Sequence, residues 1–293
     1  MNAPASDPLL HPDRENPQDK PRGWHAELEL RFARRGERTS LVHNRHIGPL
    51  RVQKPLYPEG EGCCHAIVLH PPAGIVGGDT LRVDVAVGDG AHALLTTPGA
   101  GKWYRSDGRR AALRQCLRVE AEAVCEWLPQ ESIVFDGALG ELSTEIELDP
   151  RARLIAAEML CFGRTGAGER FDHGQLAMQT RILRGDRTLW LERGRVDGGG
   201  DLLASPAGLA GEAVVGTLLI VAPGLDEGIR DACREIGSEV GRGAVTLLPT
   251  GVLVARWLGP ACEPGRTWFS RIWACVRPAV AGCAMRAPRI WST

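Results

Sequence analysis

Four glutamates lie in or directly after apolar segments, where charged side chains are uncommon. They are Glu126 in Val-Cys-Glu-Trp-Leu, Glu131 three residues after that segment, Glu158 inside the run 155–160, and Glu192 at the end of Leu-Trp-Leu-Glu. An unpaired carboxylate is costly in an apolar environment. Such a residue therefore either points outward from a half-buried strand or lines an internal polar channel. The outward arrangement is usual for any one of them, but four together leave the channel open.

The histidines do not form a recognisable metal site. His65 and His70 lie on one apolar segment and its exit, an odd number of positions apart. Successive side chains of a strand point to opposite faces, so these two imidazoles are expected on opposite sides. His43 and His46 have the same odd separation. Neither pair predicts a closed zinc or nickel centre.

Two glycine-rich segments predict turns and not nucleotide sites. The segment 96–102 resembles a phosphate-binding loop, but Thr96 replaces its first glycine and Trp103 its hydroxyl residue. The segment 74–79 lacks the glycine order of a dinucleotide site, and we expect Asp79 to bond the backbone of a tight turn. The sequence also has no GxSxG or HExxH motif and no nucleophile–base pair that can be defended.

The elements that position these residues are predicted to be mostly strands. From Trp24 to about Val221, short runs alternate apolar and polar residues and are punctuated by Gly, Pro and Asp. This pattern indicates an all-β body, either a sandwich or a β-solenoid. Residues 1–23 are rich in proline and poor in large apolar residues, which predicts a disordered tail. Residues 24–293 are expected to form a single domain.

Two late segments have helical spacing instead. Apolar residues share one stripe over 226–240 and again over 264–280. Pro278 is expected to end or kink the second helix early. The aromatic residues of that helix, among them Trp268 and Trp273, are expected to leave an exposed apolar patch.

Composition argues against several classes of protein. The net charge of the 293 residues is −1, which disfavours nucleic-acid binding. No apolar run reaches the length of about 18 residues that a membrane span needs, and the N-terminus has no apolar leader segment. The nine cysteines are odd in number and contain no CxxC pair, so neither a disulfide framework nor a structural zinc site is predicted. We expect a cytoplasmic protein.

Many segments, taken in order, resemble the urease accessory proteins of the UreD family, called UreH in some organisms. They cover residues 24–293 and include 52–59, 69–72, 74–79, 97–106, 126–131, 160–164, 277–278 and 288–293. No single segment is diagnostic, but their number and order make a chance match very improbable. Two departures are Ala73, where relatives commonly carry glycine, and Cys63, which makes an unexpected pair with Cys64.

The resemblance implies a cytoplasmic accessory protein without enzymatic turnover and without a tightly bound cofactor. Its implied partners are UreF, the GTPase UreG and the urease apoprotein subunits, with a homodimer possible inside the complex. It would pass Ni²⁺, held transiently, towards the urease active site. The implied fold is mainly β, a β-helix-like layered arrangement of many short strands with two α-helices in the C-terminal third.

A metal route suits the embedded carboxylates. Ni²⁺ accepts carboxylate, imidazole and water ligands, and a conduit must hold it weakly. We predict that Asp79, Glu158 and Glu192 contribute to a polar interior route, with His70 a weaker candidate. The alternatives are that these residues face solvent or pair with arginines, that the protein is a hydrolase using Asp79 and His70, or that it is a metal-free structural adaptor.

Overall fold

The computed structural model describes residues 23–292. The tail predicted for residues 1–23 lies outside the described residues, except for Gly23, which directly precedes the first strand region. Thr293, the last residue of the predicted domain, also lies outside them.

Seventeen strands make up most of the described chain. They are β1 (His25–Arg35), β2 (Arg38–Ile47), β3 (Arg51–Val52), β4 (Cys63–Leu69), β5 (Thr80–Val87), β6 (His92–Thr96), β7 (Gly101–Trp103), β8 (Ala111–Val119), β9 (Val124–Leu128), β10 (Ser132–Val134), β11 (Leu139–Leu148), β12 (Arg153–Phe162), β13 (Gln175–Arg184), β14 (Arg187–Asp197), β15 (Val214–Val221), β16 (Arg242–Leu247) and β17 (Val252–Gly259). The helices are α1 (Asp201–Ala204), α2 (Glu227–Arg234) and α3 (Cys262–Ala281), with 3-10 turns at Thr165–Ala167 and Arg289–Ser292.

The strands form two sheets that the chain visits alternately. One sheet has seven strands in the order β14-β13-β11-β8-β5-β1-β2, and the other has ten, in the order β16-β17-β15-β12-β9-β6-β4-β3 with β10 and β7 joined at β12. Strands β5, β8, β11 and β13 pair in parallel in the first sheet, and β4, β6, β9 and β12 do so in the second. Each turn of the chain thus adds a strand to both sheets, and the predicted mainly-β, β-helix-like arrangement is confirmed.

Two apolar cores separate three layers. The first core lies between the sheets and contains inward residues such as Leu28, Val85, Ile146 and Leu154. The second lies between the ten-stranded sheet and the helices α2 and α3. The outer face of the seven-stranded sheet carries exposed charged residues, Arg118 among them. The alternating strand pattern thus reflects one buried and one solvated face.

The late helices are present, with bounds that differ from the prediction. Helix α2 begins where Asp226 caps it by accepting a hydrogen bond from the Ile229 backbone N–H, and it ends at Arg234 instead of Val240. It is shorter because the chain must leave it to enter β16, and the Val240 carbonyl already accepts a hydrogen bond from Trp257 Nε1. The single-turn helix α1 was not predicted.

Helix α3 continues past Pro278 to Ala281, so the expected early end was wrong. Proline removes one hydrogen bond to the carbonyl four residues earlier. That residue, Ala274, is exposed, so its carbonyl can turn to water. Gly282 then ends the helix in the left-handed conformation, φ 71°. The missing bond therefore falls where it costs little.

The aromatic residues of α3 do not form the expected exposed patch. Trp268, Phe269 and Trp273 are all nearly inaccessible and pack against the ten-stranded sheet. Among residues 23–292, no helix combines the length and apolar character needed to cross a membrane.

Replacing Ile272 with alanine should destabilise the fold. Its side chain is completely buried between α3 and the sheet, so the loss of apolar contacts and the cavity left behind should cost about 3 kcal/mol. Urea unfolding of Ile272→Ala measures this cost. The neighbouring Arg271→Ala, on the exposed face of α3, is the control and should change little. Equal midpoints for the two variants would show that α3 is not docked as described.

Candidate functional site: a polar cavity between the sheets

A cavity of about 440 Å³ lies between the two sheets. Inward residues of strands from both sheets line it, together with His70 and the turn 97–100. Most of this lining is apolar, but several polar side chains interrupt it. Polar atoms that line a roomy cavity can keep water partners, unlike those of a close-packed core.

One polar row crosses the inner face of the seven-stranded sheet. Gln115 of β8 is in register with Thr144 of β11, Thr144 with Thr180 of β13, and Thr180 with Glu192 of β14. All four line the cavity, and Thr144 Oγ1 donates to Gln115 Oε1 at 2.9 Å. We call these four residues the upper row.

A second polar row faces it from the ten-stranded sheet. Glu158 of β12 is in register with Thr217 of β15, and Thr217 with Arg256 of β17. Glu158 and Thr217 line the cavity, whereas the Arg256 side chain is 43% exposed and lies at the outer end. We call these three residues the lower row.

The two rows touch at their acidic residues. Arg256 Nη2 donates to Glu192 Oε1 at 2.6 Å, and the Thr180 hydroxyl lies beside the Glu158 carboxylate. Burial and then the nearby charge of Glu192 raise the pKa of Glu158 to about 7, against the effect of Thr180. Glu158 therefore changes charge near neutral pH, so that a proton and a metal ion would compete for its oxygens.

Three of the four predicted metal residues meet at this cavity. His70, Glu158 and Glu192 all line it. Burial lowers the pKa of His70, although Asp79 opposes the shift, and the neutral imidazole is the form that binds metals. The structure thus brings these three side chains to one polar space.

Asp79 lies in the turn 74–79 and outside the cavity lining. Its carboxylate accepts hydrogen bonds from the backbone N–H of Val76 at 2.9 Å and of Trp24 at 2.7 Å. This confirms the expected bonding of Asp79 to the turn backbone. Nearby Ala73 adopts φ 62°, in the left-handed region that glycine occupies with less strain than alanine.

A second, closed polar cluster lies on the opposite side of the ten-stranded sheet. Arg277 of α3 and Glu126 of β9 have no accessible surface, and their side chains approach to 2.9 Å. Arg277 Nη2 also donates to Glu59 Oε1 at 2.8 Å. His65 Nε2 lies 2.6 Å from Glu59 Oε1, and His92 Nε2 lies 2.7 Å from Glu126 Oε1. We call these five residues the Arg277 cluster.

Hydrogen bonds within the Arg277 cluster stabilise the ionised form of both its carboxylates. Burial alone would raise the pKa of Glu59, but hydrogen bonds from His65 and Arg277 lower it to about 2. Burial of Glu126 is likewise outweighed by His92 and Arg277, which hold the pKa of that carboxyl below its usual range. Trp273 Nε1 donates to Glu126 Oε2 at 2.6 Å. Both carboxylates therefore stay ionised and fully bonded.

Cys63 could complete two metal triads within this cluster. Its sulfur lies within 4.8 Å of ligand atoms of Glu59 and His65, and of His92 and Glu126. However, the Arg277 guanidinium already bonds both carboxylates, and burial raises the pKa of the Cys63 thiol well above its usual range. A thiol that stays protonated is a poor metal ligand. As described, the cluster is a structural network whose carboxylates are already bonded to Arg277.

Sequence reasoning missed most of the polar rows. It identified Glu158 and Glu192 but not Gln115, Thr180 or Arg256. The available signal was a single polar residue at an inward position between two apolar ones, as in Leu-x-Gln-x-Leu or Val-x-Arg-x-Leu. On one strand this pattern is unremarkable, and only the register shows that the interruptions line up.

Comparison with known proteins gives one consistent result. The family described as "UreD urease accessory protein" matches residues 25–292. Urease accessory protein UreD of Azoarcus sp. strain BH72 is 63% identical over 92% of this chain and 95% of its own length. The UreD proteins of Dechloromonas aromatica and Pseudomonas aeruginosa PAO1 are 50% and 47% identical, over 94% and 100% of this chain and 97% and 100% of their own lengths.

Removing the guanidinium from the Arg277 cluster should be strongly destabilising. Arg277→Met leaves two buried carboxylates without their cation, at a cost of about 3–5 kcal/mol. In the wild type, the ionised Glu59 carboxylate contributes to the free energy of unfolding above pH 4.5. This contribution is lost as pH falls towards 2, where Glu59 is protonated. In the variant, stability should instead rise as pH falls from 7 to 4, because protonation relieves the unpaired charges.

Urea unfolding at several pH values measures both effects. Arg118→Met is the matched control, since Arg118 pairs with Glu147 at 3.0 Å on the exposed face of the other sheet. That loss should be below about 1 kcal/mol. Similar losses in the two variants would contradict the description of the Arg277 cluster.

Replacing Glu158 with glutamine should stabilise the protein at alkaline pH. The folded protein holds the pKa of Glu158 at about 7 instead of 4.5, so wild-type stability falls as pH rises between these values. Glutamine mimics the protonated acid and removes this loss of stability, which is worth about 3 kcal/mol at pH 8 and nothing at pH 4. Chemical unfolding of both proteins at each pH tests this. The exposed Glu147→Gln should show no such trend; a gain for Glu158→Gln that is equal at both pH values would count against the assigned pKa.

Proposed function

This chain belongs to the UreD family of urease accessory proteins, and we propose that it is a scaffold that passes Ni²⁺ through the cavity between its sheets towards the urease active site. The observation that carries this proposal is the pair of facing polar rows. They hold two carboxylates and several neutral oxygens along a single internal space, whose lining also includes the His70 imidazole. The metal here is cargo, so no resident cofactor is required.

The ligand chemistry of the rows suits transfer. Carboxylate, hydroxyl and amide oxygens bind divalent cations, but oxygen ligands spread along a cavity give no closed, tight cage. Glu158 and Glu192 lie on opposite sheets, so the cation can move from one carboxylate to the next with water completing its coordination. His70, which also lines the cavity, supplies a nitrogen ligand.

Asp79 is the least supported of the four predicted metal residues. Both of its oxygens accept backbone hydrogen bonds, which leaves fewer lone pairs for a metal. In the proposed route, Asp79 acts beside His70, because its negative charge raises the pKa of that imidazole.

The proposed setting is the cytoplasmic urease activation complex. We propose UreF, the GTPase UreG and the urease apoprotein as partners, with a homodimer as a possible form inside the complex. The support is family membership. All nine cysteines are unpaired, which accords with a reducing compartment.

We propose that the chain has no catalytic turnover of its own. The hydrolase alternative would use Asp79 and His70, yet the Asp79 carboxylate is bound to the turn backbone, which makes it a poor general base. A metal-free adaptor remains the second alternative, and the variants described next separate it from a conduit.

Glu158→Gln and Glu192→Gln should lower nickel insertion without disturbing assembly. Each change keeps the side-chain shape and removes the charge that attracts the cation. We expect urease co-expressed with either variant to contain severalfold less nickel and to lose activity in proportion. Elemental analysis of the purified urease measures this. Glu147→Gln, an exposed carboxylate on β11, should give wild-type nickel content.

Partner pull-downs and turnover assays separate the alternatives. Variants that bind partners normally and still give fully loaded urease would refute the nickel route and favour the metal-free adaptor. Asp79→Asn should act mainly through stability, because it weakens the turn bonds. Metal-dependent hydrolysis of generic ester or phosphate substrates by the purified protein would contradict the non-catalytic assignment.

A further inference from the structure

Arg256 ends the lower row at the protein surface. Its side chain is half-exposed, whereas the preceding members of the row, Glu158 and Thr217, face the cavity. Within residues 23–292, its hydrogen bond to Glu192 is the only one the guanidinium makes. The outer end of the two rows is therefore occupied by a positive charge that belongs to the protein.

The contacts of Arg256 hold it in place without locking it. Its guanidinium carbon lies 5.6 Å from the centre of the Trp190 ring, a cation–π contact. The pair with Glu192 is partly exposed on both sides, at 43% and 29%, and such pairs are weak because water screens them. Arg277, in contrast, is fully buried and bonded to two carboxylates and a backbone carbonyl. Arg256 is the arginine that can leave its carboxylate.

We propose that Arg256 is a resident cation at the outer end of the rows, which a divalent metal ion must displace from Glu192 to bind that carboxylate. This inference rests on the proposed function and adds a gate to it. The guanidinium binds one oxygen of Glu192, so a metal that takes this carboxylate meets a competing positive charge. When the metal is bound, Arg256 swings outwards over Trp190 towards solvent. When the metal leaves, the guanidinium returns.

A resident cation sets an affinity threshold for an oxygen-lined site. Displacing Arg256 adds the same cost for every cation, so all affinities fall by one factor and their ratio is unchanged. A cation that binds the oxygens weakly, such as Mg²⁺, then leaves the site filled by Arg256 at its ambient concentration. Ni²⁺, which lies above the hard divalent ions in intrinsic affinity for such ligands, can still bind.

The test is metal binding by the full-length chain, isolated with its accessory partners if these are needed for solubility. Equilibrium dialysis against Ni²⁺, with and without excess Mg²⁺, is compared for wild type, Arg256→Gln and the surface control Arg118→Gln. Removing the competing charge should tighten Ni²⁺ binding about three- to fivefold, the equivalent of the roughly 1 kcal/mol of an exposed pair. It should also make Ni²⁺ binding more sensitive to Mg²⁺. Arg118→Gln should match the wild type in both.

A double variant identifies the contested ligand. If Glu192 is the carboxylate that Arg256 covers, Arg256→Gln should give no gain in a Glu192→Gln background. Arg256→Lys keeps the charge without the planar stacking and should lie between wild type and Arg256→Gln. It also serves as the test variant if Arg256→Gln does not fold.

The outcomes distinguish the gate from the route. If Glu158→Gln and Glu192→Gln weaken Ni²⁺ binding while Arg256→Gln leaves it unchanged, the gate is refuted and the route stands. If none of the three variants alters Ni²⁺ binding, the proposed function fails and the gate falls with it. A gain in Arg256→Gln that persists without Glu192 would show that Arg256 acts by general charge, which also overturns the gate.

Discussion

In-register stacking of parallel strands is the constraint from which the polar interior follows. The chain adds one strand to each sheet per turn, so neighbouring strands set equivalent inward positions side by side. One polar residue per strand then becomes a continuous row, as Gln115, Thr144 and Thr180 show. A shift of one residue would turn each of these side chains to the charged outer face. The rows are therefore a property of register, and no single strand contains them.

The ten-stranded sheet separates two polar interiors that have opposite properties. On its helix side, Arg277 and Glu126 are fully buried, and their bonds are completed by His92 and Trp273. On its cavity side, Glu158 and Glu192 retain accessible surface and fewer protein partners. A buried ion pair tolerates burial only when its bonds are complete. The first interior is therefore closed by its own hydrogen bonds, whereas the second leaves carboxylate oxygens open, as the proposed metal route requires.

The fold could largely be predicted from local sequence pattern. Alternation in segments such as β5 and β11 records which face is buried, and this information is local. The ends of the helices were harder to predict, because they depend on tertiary contacts. Helix α2 ends at Arg234, ahead of the loop that leads into β16, and α3 continues past Pro278, which leaves the carbonyl of the exposed residue Ala274 without its helical partner. The burial of Trp268 also required knowing that a second apolar layer covers the sheet.

The site could be predicted only in part, for a related reason. A glutamate inside an apolar run is unusual and can be recognised from the sequence alone, which is why Glu158 and Glu192 were found. Glu126 also lies inside an apolar run, yet it faces the other side of the sheet and pairs with Arg277, a residue 151 positions away. The sequence around Thr180 and Arg256 gives no such signal, since both residue types are ordinary in strands. Local sequence cannot distinguish a paired carboxylate from an unpaired one, because the pairing residues are distant in the chain.

In the proposed route, a metal ion meets a competitor at each acidic residue of the open interior. At Glu158 the competitor is a proton, because burial and Glu192 raise the pKa of that carboxyl to about 7. At Glu192 it is the guanidinium of Arg256. Each competitor would weaken metal binding by an amount of order 1 kcal/mol near neutral pH. A tight site would hold its cargo, whereas an unneutralised pair of carboxylates in an apolar surrounding would be costly when empty. Competing cations would ease both difficulties, because they neutralise the carboxylates in the absence of a metal and are displaced when one binds.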